Sequence, residues 1–297
     1  MTVDADILFE VVPPNRVATD DHKRKIVETI STALSSADSV ELINVPEIVE
    51  ENRKGEPRYR NEPSCCFATQ LRKKTGKQVI VNKAVVHCKD RDDFVRWLKH
   101  ATGSDDIQNF IFTGGNSGLH QYPGPTVTDA TRLALQDKKI AIGNILIPSR
   151  SDESERLIRK TVAGASFFTT QVLFSSEPLK TVLSSYKAKC VERGVKPGKM
   201  FLSFTPVRNV DDLDFLKWLG AEISPDQERR LLQIPATSQS IELAAEIWAD
   251  ISKHVQESKL GIGLGINVEE IFIHNLESAL QMVKKLAGMI EKVPPSK

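Results

Sequence analysis

Two polar side chains stand inside otherwise apolar segments of this sequence and could carry chemistry. Glu10 lies in segment 7–13, and Gln171 interrupts the apolar and β-branched segment 166–174. Burial raises the pKa of a carboxyl, so Glu10 is a candidate proton donor or base near neutral pH. The Gln171 amide can donate and accept hydrogen bonds at once, which suits the edge of a heterocycle. Each has a structural alternative: Glu10 could form a buried ion pair with Lys83, and Gln171 could join two strands.

Further polar candidates fall at the carboxyl ends of predicted strands. His87 ends a strand and could act as a general acid, or could simply cap that strand. The glycine-rich run from Thr113 to Gly118 could bring backbone N–H groups close to a phosphate, or could form an ordinary turn. Other candidates lie within later strands: Asn144, Ser203, Thr205 and Asn267.

The charged segment 46–63 is too long for an ordinary connection between a strand and a helix. Most of its charges are expected to be solvated, but Arg58 and Arg60 could meet an acidic tail on a substrate. Tyr122, in a later loop, could stack on a ligand ring or could pack within its own loop.

Strand-like and helix-like segments alternate along the chain, and this alternation predicts the fold. Eight segments have strand character: 7–13, 39–45, 78–87, 109–113, 140–147, 166–174, 199–207 and 261–268. Segments with helical spacing separate them: 20–35, 64–74, 90–101, 128–136, 152–163, 178–192, 210–219, 225–232, 238–257 and 275–290. Eight such units predict a (β/α)8 barrel in a single domain over residues 1–297, with a disordered tail at 293–297. An open doubly wound sheet is disfavoured because no G-x-G-x-x-G follows the first strand, and Gly263-x-Gly265 lies inside the last one.

Composition narrows the class of protein. The 297 residues carry a net charge of +1, which gives no basic field for nucleic acid. The sequence has four cysteines, Cys65, Cys66, Cys88 and Cys190, and they show no C-x-x-C spacing. We therefore expect no metal site, and the scattered thiols fit the reducing cytosol. The acidic N-terminus and the absence of an apolar run of about 18 residues predict a cytoplasmic protein without a membrane span. A homo-oligomer is compatible with the sequence.

Three of the strands resemble motifs of the methylenetetrahydrofolate reductase family. Segment 9–14 reads F-E-V-V-P-P and is similar to that family's F-E-F-F-P-P. Segment 163–174 reads A-G-A-S-F-F-T-T-Q-V-L-F and is similar to the strand in which that family has A-G-A before T-Q-x-x-F. Segment 203–207, S-F-T-P-V, is similar to the family's G-I-L-P-V. The motifs occur in the family's order, and the resemblance spans nearly the whole chain.

The resemblance implies reduction of 5,10-methylenetetrahydrofolate, or a related methylene-pterin, to the 5-methyl form, a step of one-carbon metabolism and methionine biosynthesis. It implies that Glu10 supplies the proton and that Gln171 hydrogen-bonds the pterin. We assign Thr113, Asn267 and Arg58 to the substrate with Gln171. Two other functions remain open: a partner subunit of a pterin-dependent methyltransferase, and a folate-binding relative without catalysis.

The sequence departs from the family where a flavin would bind. The family's L-R-G-D is replaced by F-T-G-G at 112–115, so its arginine and aspartate are missing. His87 lies two places beyond the expected flavin-contacting histidine, and Asn144 lies near an expected tyrosine. Lys160 matches a lysine that meets the flavin phosphates, and Glu153 replaces an aspartate near the ribose. These four residues are the cofactor-binding candidates. The resemblance therefore implies a divergent branch that takes hydride directly from NADH or NADPH, with FAD as the alternative cofactor and no metal.

Overall fold

Eight parallel strands close into one barrel in the computed structural model, which describes residues 3–115, 120–136, 139–271 and 273–290. The strands are β1 (Ile7–Val11), β2 (Leu42–Val45), β3 (Glu50–Glu51), β4 (Pro57–Arg58), β5 (Gln78–Ala84), β6 (Asn109–Thr113), β7 (Ala141–Leu146), β8 (Phe167–Thr170), β9 (Lys199–Phe204) and β10 (Leu264–Glu270). The barrel order is β1-β10-β9-β8-β7-β6-β5-β2, and β3 and β4 pair separately in an antiparallel hairpin. The predicted (β/α)8 barrel is confirmed. The expected disordered tail at 293–297 lies outside the described residues.

Helices cover the outside of the barrel and begin and end where the sequence provides caps. They are α1 (Asp20–Ser35), α2 (Ser64–Thr75), α3 (Arg91–Gly103), α4 (Val127–Ala134), α5 (Glu153–Ala163), α6 (Glu177–Arg193), α7 (Val210–Trp218), α8 (Pro225–Leu231), α9 (Ala236–Glu257) and α10 (Leu276–Ile290). Thr19, Asp90 and Asn209 cap α1, α3 and α7 with their side chains. Gly164 and Gly194 end α5 and α6 in the left-handed conformation. Within the described ranges, no helix has the length and apolar character needed to cross a membrane.

Several strands end at residues other than those predicted. β8 ends at Thr170, so Gln171 lies just beyond the strand rather than within it. The third barrel strand stops at Ala84, and Val85–His87 forms a 3-10 turn. β10 begins later than predicted and continues through Glu269 and Glu270, because both residues pair with the end of β1. A ladder needs only backbone groups, so charged side chains do not stop it.

The interior of the barrel toward the amino-terminal ends of the strands, called the lower interior below, is apolar and tightly filled. Every second residue of each strand faces inward, and these positions include Leu8, Ile80 and Ile111. The rings of Phe167 and Phe201 meet edge to face there, with centroids 5.9 Å apart. A Cβ at Gly143 would collide with the Phe167 ring, and one at Gly265 would lie 2.6 Å from the Phe201 ring. Gly265 therefore serves packing, and the polar groups are left to the carboxyl ends of the strands.

Candidate functional site

Glu10 projects from β1 into the carboxyl-terminal end of the barrel. Asn44 on β2 and Glu269 on β10 are its neighbours in register. Asn44 Nδ2 donates to Glu10 Oε2 at 2.5 Å, and Asn267 Nδ2 donates to the same oxygen at 3.2 Å. Burial raises the pKa of the Glu10 carboxyl from 4.5 to about 7, and the Asn267 hydrogen bond opposes this shift. Glu10 can therefore act as a proton donor close to neutral pH.

The alternative ion pair between Glu10 and Lys83 does not form. Asn82 and Ala84 line the cavities at the barrel mouth, so Lys83 between them lies on the outer side of β5. Its ammonium bonds to Glu47 Oε1 at 2.8 Å. Lys83 is thus a largely buried cation, but its side chain points away from Glu10. The partners of the Glu10 carboxyl are therefore side-chain amides.

Glu269 is a second carboxyl in the site, and the sequence did not single it out because the last strand was predicted to end at Val268. Asn267 Nδ2 lies 3.3 Å from Glu269 Oε1 and 3.0 Å from Ser203 Oγ. Burial and then the Glu10 charge raise the pKa of Glu269, while hydrogen bonds from Ser203 and Asn267 oppose the shift. The period of two through Gly265 and Asn267 is the sequence signal that would have placed Glu269 inward.

A cavity of about 800 Å³, the mouth cavity, opens above these carboxyls and is lined by residues that include Glu10, Asn82, Thr169, Gln171, Leu219 and Glu269. Asn82 is 6% exposed, and its Oδ1 accepts no hydrogen bond from the described residues. A buried acceptor without a donor is uncommon, so Asn82 offers a ready partner for an N–H group of a ligand. Nothing in the sequence distinguished Asn82 from other strand asparagines.

Gln171 lies at the junction of the mouth cavity with its neighbours. Its Nε2 donates to the carbonyl oxygen of Leu219 at 2.9 Å, just after α7. The amide therefore joins the barrel to the end of α7 and does not join two barrel strands. Within the described part of the chain, its Oε1 has no hydrogen-bond donor, so the carbonyl end of the side chain is available to a ligand.

A larger neighbouring cavity of about 1000 Å³, the side cavity, is lined by residues that include His87, Thr113, Tyr122, Arg159, Lys160 and Gln171. His87 is almost fully buried, and its Nε2 lies 2.9 Å from Glu51 Oε1. Tyr122 donates to the other oxygen of Glu51 at 2.9 Å. This network connects the β3–β4 hairpin to the barrel. The His87 Nε2 atom is therefore bonded to Glu51 and is not available to a ligand in the cavity.

The glycine-rich run is described only in part, because residues 116–119 lie outside the described ranges. Thr113, Gly114 and Gly115 line the side cavity. A Cβ at Gly115 would collide with the Tyr122 ring. The ring thus occupies the space that an acidic side chain at this position would need.

The four residues assigned to a cofactor do not form one surface. Asn144 is completely buried on the outer face of β7, where it donates to the Phe112 carbonyl at 3.1 Å. Glu153 is also completely buried and lies 3.4 Å from the Lys160 ammonium. Lys160 lines the side cavity and donates to the Ile145 carbonyl at 2.6 Å. Burial lowers the pKa of Lys160, and Glu153 opposes this. The side-chain alternation of β7 directs Asn144 away from the cavities.

The cationic wall of the side cavity comes from residues that the sequence did not single out. Arg150, Arg156 and Arg159 line it together with Lys160, and Arg156 is paired with Asp152 at 2.9 Å. Arg58, by contrast, is exposed on β4 and lines neither cavity. Arg60 reaches the mouth cavity but pairs with Glu50 at 2.6 Å. The surface most suited to an anionic group therefore lies beside α5.

Comparison with known proteins shows the fold. No protein-family model matches the chain, and no curated protein matches it in sequence. An uncharacterized protein from Clostridium thermocellum, which binds two copies of 5-methyl-5,6,7,8-tetrahydrofolic acid, is similar with a TM-score of 0.78 and 20% identity over 96% of each chain. A mutant tryptophan synthase α-subunit from Pyrococcus furiosus has a TM-score of 0.53 and 10% identity, over 97% of this chain and 100% of that one. At these identities the likeness establishes a common barrel architecture.

Proposed function

We propose that the mouth cavity binds a reduced folate and that the protein reduces 5,10-methylenetetrahydrofolate to the 5-methyl form with NADH or NADPH. The observation that carries this proposal is the Glu10 carboxyl, which can hold a proton near neutral pH at the floor of a cavity of about 800 Å³. The similar Clostridium thermocellum protein supports it, since its ligand is the product of this reaction. The motif resemblance at Glu10 and Gln171 supports it independently.

The chemistry requires an acid and a dry site. Protonation of the arylamine nitrogen of the bridge by Glu10 breaks its bond to the methylene carbon and leaves an iminium on the pterin. The iminium carbon then accepts a hydride from the reduced nicotinamide, giving the methyl group and the oxidised nucleotide. The apolar lower interior of the barrel, below the carboxyls, closes the inner end of the site to water, which would otherwise hydrolyse the iminium.

The unsatisfied polar atoms of the site suit a pterin. Asn82 Oδ1 and Gln171 Oε1 are acceptors without donors among the described residues, and a tetrahydropterin carries several N–H donors along one edge. The side cavity adjoins the mouth cavity at Gln171 and has the volume for a second, larger ligand. Its cationic wall at Arg150 and Arg159 is where the phosphates of a nicotinamide nucleotide would be bound.

FAD does not fit the residues present. Asn144 is buried away from the cavity, and the His87 imidazole is bonded to Glu51. The Tyr122 ring stands against Gly115, where the flavin-binding relatives have an aspartate. Of the four assigned contacts, His87 and Lys160 line the side cavity, and each already has a hydrogen-bond partner. These observations support NADH or NADPH, rather than FAD, as the proposed direct reductant.

The proposal is tested by following NADH and NADPH oxidation with 5,10-methylenetetrahydrofolate and by measuring 5-methyltetrahydrofolate binding calorimetrically. Glu10→Gln keeps the size of the side chain but removes the acid, so turnover should fall by about 10²–10⁴-fold while folate binding changes little. Turnover that survives in Glu10→Gln would refute the assigned acid. Folate binding without oxidation of either nucleotide would instead indicate a non-catalytic relative. A yellow purified protein would show that a flavin is bound and would overturn the direct transfer of hydride from the nucleotide.

A further inference from the structure

The Glu10 and Glu269 carboxyls share a hydrogen-bond donor, and neither forms an ion pair with a cation of the described residues. Glu10 and Glu269 are paired in register across the seam where β10 closes onto β1. One oxygen of each carboxyl lies within 3.3 Å of the same amide nitrogen, Asn267 Nδ2. We infer that Glu10 and Glu269 act as one acid that holds a single shared proton in the resting protein, with Glu269 as the positioning residue that keeps this proton available to Glu10.

The supply of hydrogen-bond donors supports a shared proton. The Asn267 amide has two N–H bonds but three acceptors around it: Glu10 Oε2, Glu269 Oε1 and Ser203 Oγ. Asn44 provides one further donor to Glu10, and the Ser203 hydroxyl provides one to Glu269. Two carboxylates offer about eight lone-pair sites in total. A proton between or on the carboxyls therefore supplies a donor that the protein otherwise lacks.

The charges around the pair reinforce this reading. The polar side chains that the other strands present to the pair are neutral: Asn44 from β2, Asn82 from β5 and Ser203 from β9. Three more carboxylates line the mouth cavity from the segment after β2, and each already has a partner: Glu47 with Lys83, Glu50 with Arg60, and Glu51 with His87. Because no unpaired cation of the described residues lines this cavity, the two adjacent carboxylates cannot both ionise readily.

The pair also gives Glu269 a role in the reduction of methylenetetrahydrofolate, and this role rests on the proposed function. The O–H bond of the pair breaks as an N–H bond forms on the leaving arylamine, and the bond from that nitrogen to the methylene carbon breaks. The pair then carries two negative charges at the moment when the pterin becomes a cationic iminium. Charge complementarity of this kind stabilises the developing cation, and the pair regains its proton from solvent after methyl formation.

The test uses the free protein as well as turnover. Glu270 is another buried carboxyl on the same strand, so Glu270→Gln serves as the background and removes its signal. In that background the carboxylic acid C=O band in the infrared spectrum should titrate in two separated steps, and Glu269→Gln should leave one step at a pH at least about one unit below the upper of the two. Glu269→Asp should restore two steps.

The same variants should change the pH profile of kcat/KM. In Glu269→Gln the loss of activity toward alkaline pH should begin at least about one pH unit lower, whereas Glu270→Gln alone should leave the profile unchanged. The Glu270→Gln variant leaves both carboxyls of the pair in place, so a single step in its infrared titration would overturn the inference. An unchanged pH profile of kcat/KM in Glu269→Gln would also overturn it. Two infrared steps without any turnover would retain the pair and refute the proposed reaction.

Discussion

Replacement of Glu270 by glutamine should flatten the dependence of folding stability on pH. Glu270 follows Glu269 on β10, so its side chain lies on the outer face of the barrel, where the residue is 2% exposed. Its Oε1 accepts no hydrogen bond within the described residues. Burial alone raises the pKa of this carboxyl from 4.5 to about 8.

The magnitude follows from the difference between the folded and unfolded chains. Between pH 4.5 and about 8 the folded protein keeps a proton that the unfolded chain has lost. The stability due to this proton is fully present below pH 4.5 and is lost as the pH rises through about 8. Its slope is about −1.4 kcal/mol per pH unit, which amounts to about 3 kcal/mol at pH 7 and about 5 kcal/mol well above pH 8.

Urea unfolding followed by circular dichroism between about pH 5 and pH 8 measures this slope directly. The new amide in Glu270→Gln also lacks partners and costs about 1–3 kcal/mol at every pH, so the slope and not the absolute stability is the diagnostic quantity. Glu257→Gln, at an exposed carboxyl on α9, controls for the substitution itself. If the stability difference between wild type and Glu270→Gln stays constant across this range, Glu270 does not bury a proton.

Two further substitutions test the positions assigned around the cavities. Gln171→Ala removes both the bond to the Leu219 carbonyl and the free acceptor, so KM for the folate should rise about tenfold, since a lost hydrogen bond is worth about 1.4 kcal/mol; an unchanged KM would argue against pterin contact. Asn144→Ala should lower the free energy of unfolding by about 1–3 kcal/mol through the Phe112 carbonyl while leaving nucleotide KM unchanged. A selective loss of nucleotide affinity in Asn144→Ala would show that the residue reaches the cofactor after all.

Much of the architecture was accessible from local pattern. Alternation of apolar segments with helical spacing is set by the residues of each element and by their caps, so the eight units could be counted without knowing their contacts. Glu10 was identifiable for a similar reason, since a carboxyl in an apolar strand is conspicuous wherever that strand packs. The ends of strands were less predictable, because the ladder between β1 and β10 continues through Glu269 and Glu270 regardless of side-chain charge.

The sequence by itself determined the barrel and one member of the Glu10–Glu269 pair. Only the tertiary structure decided which polar residues meet, because that depends on which face of a strand each residue takes and on how the barrel closes. Lys83 could pair with a carboxylate and Asn144 could hydrogen-bond a ligand, but both side chains lie on the outer face of their strands, away from the cavities. Asn267 and Glu10 are 257 positions apart in the chain and touch only because β10 closes onto β1. That closure also brings Glu269 beside Glu10, so the feature on which the proposed proton transfer depends is created by the seam of the barrel.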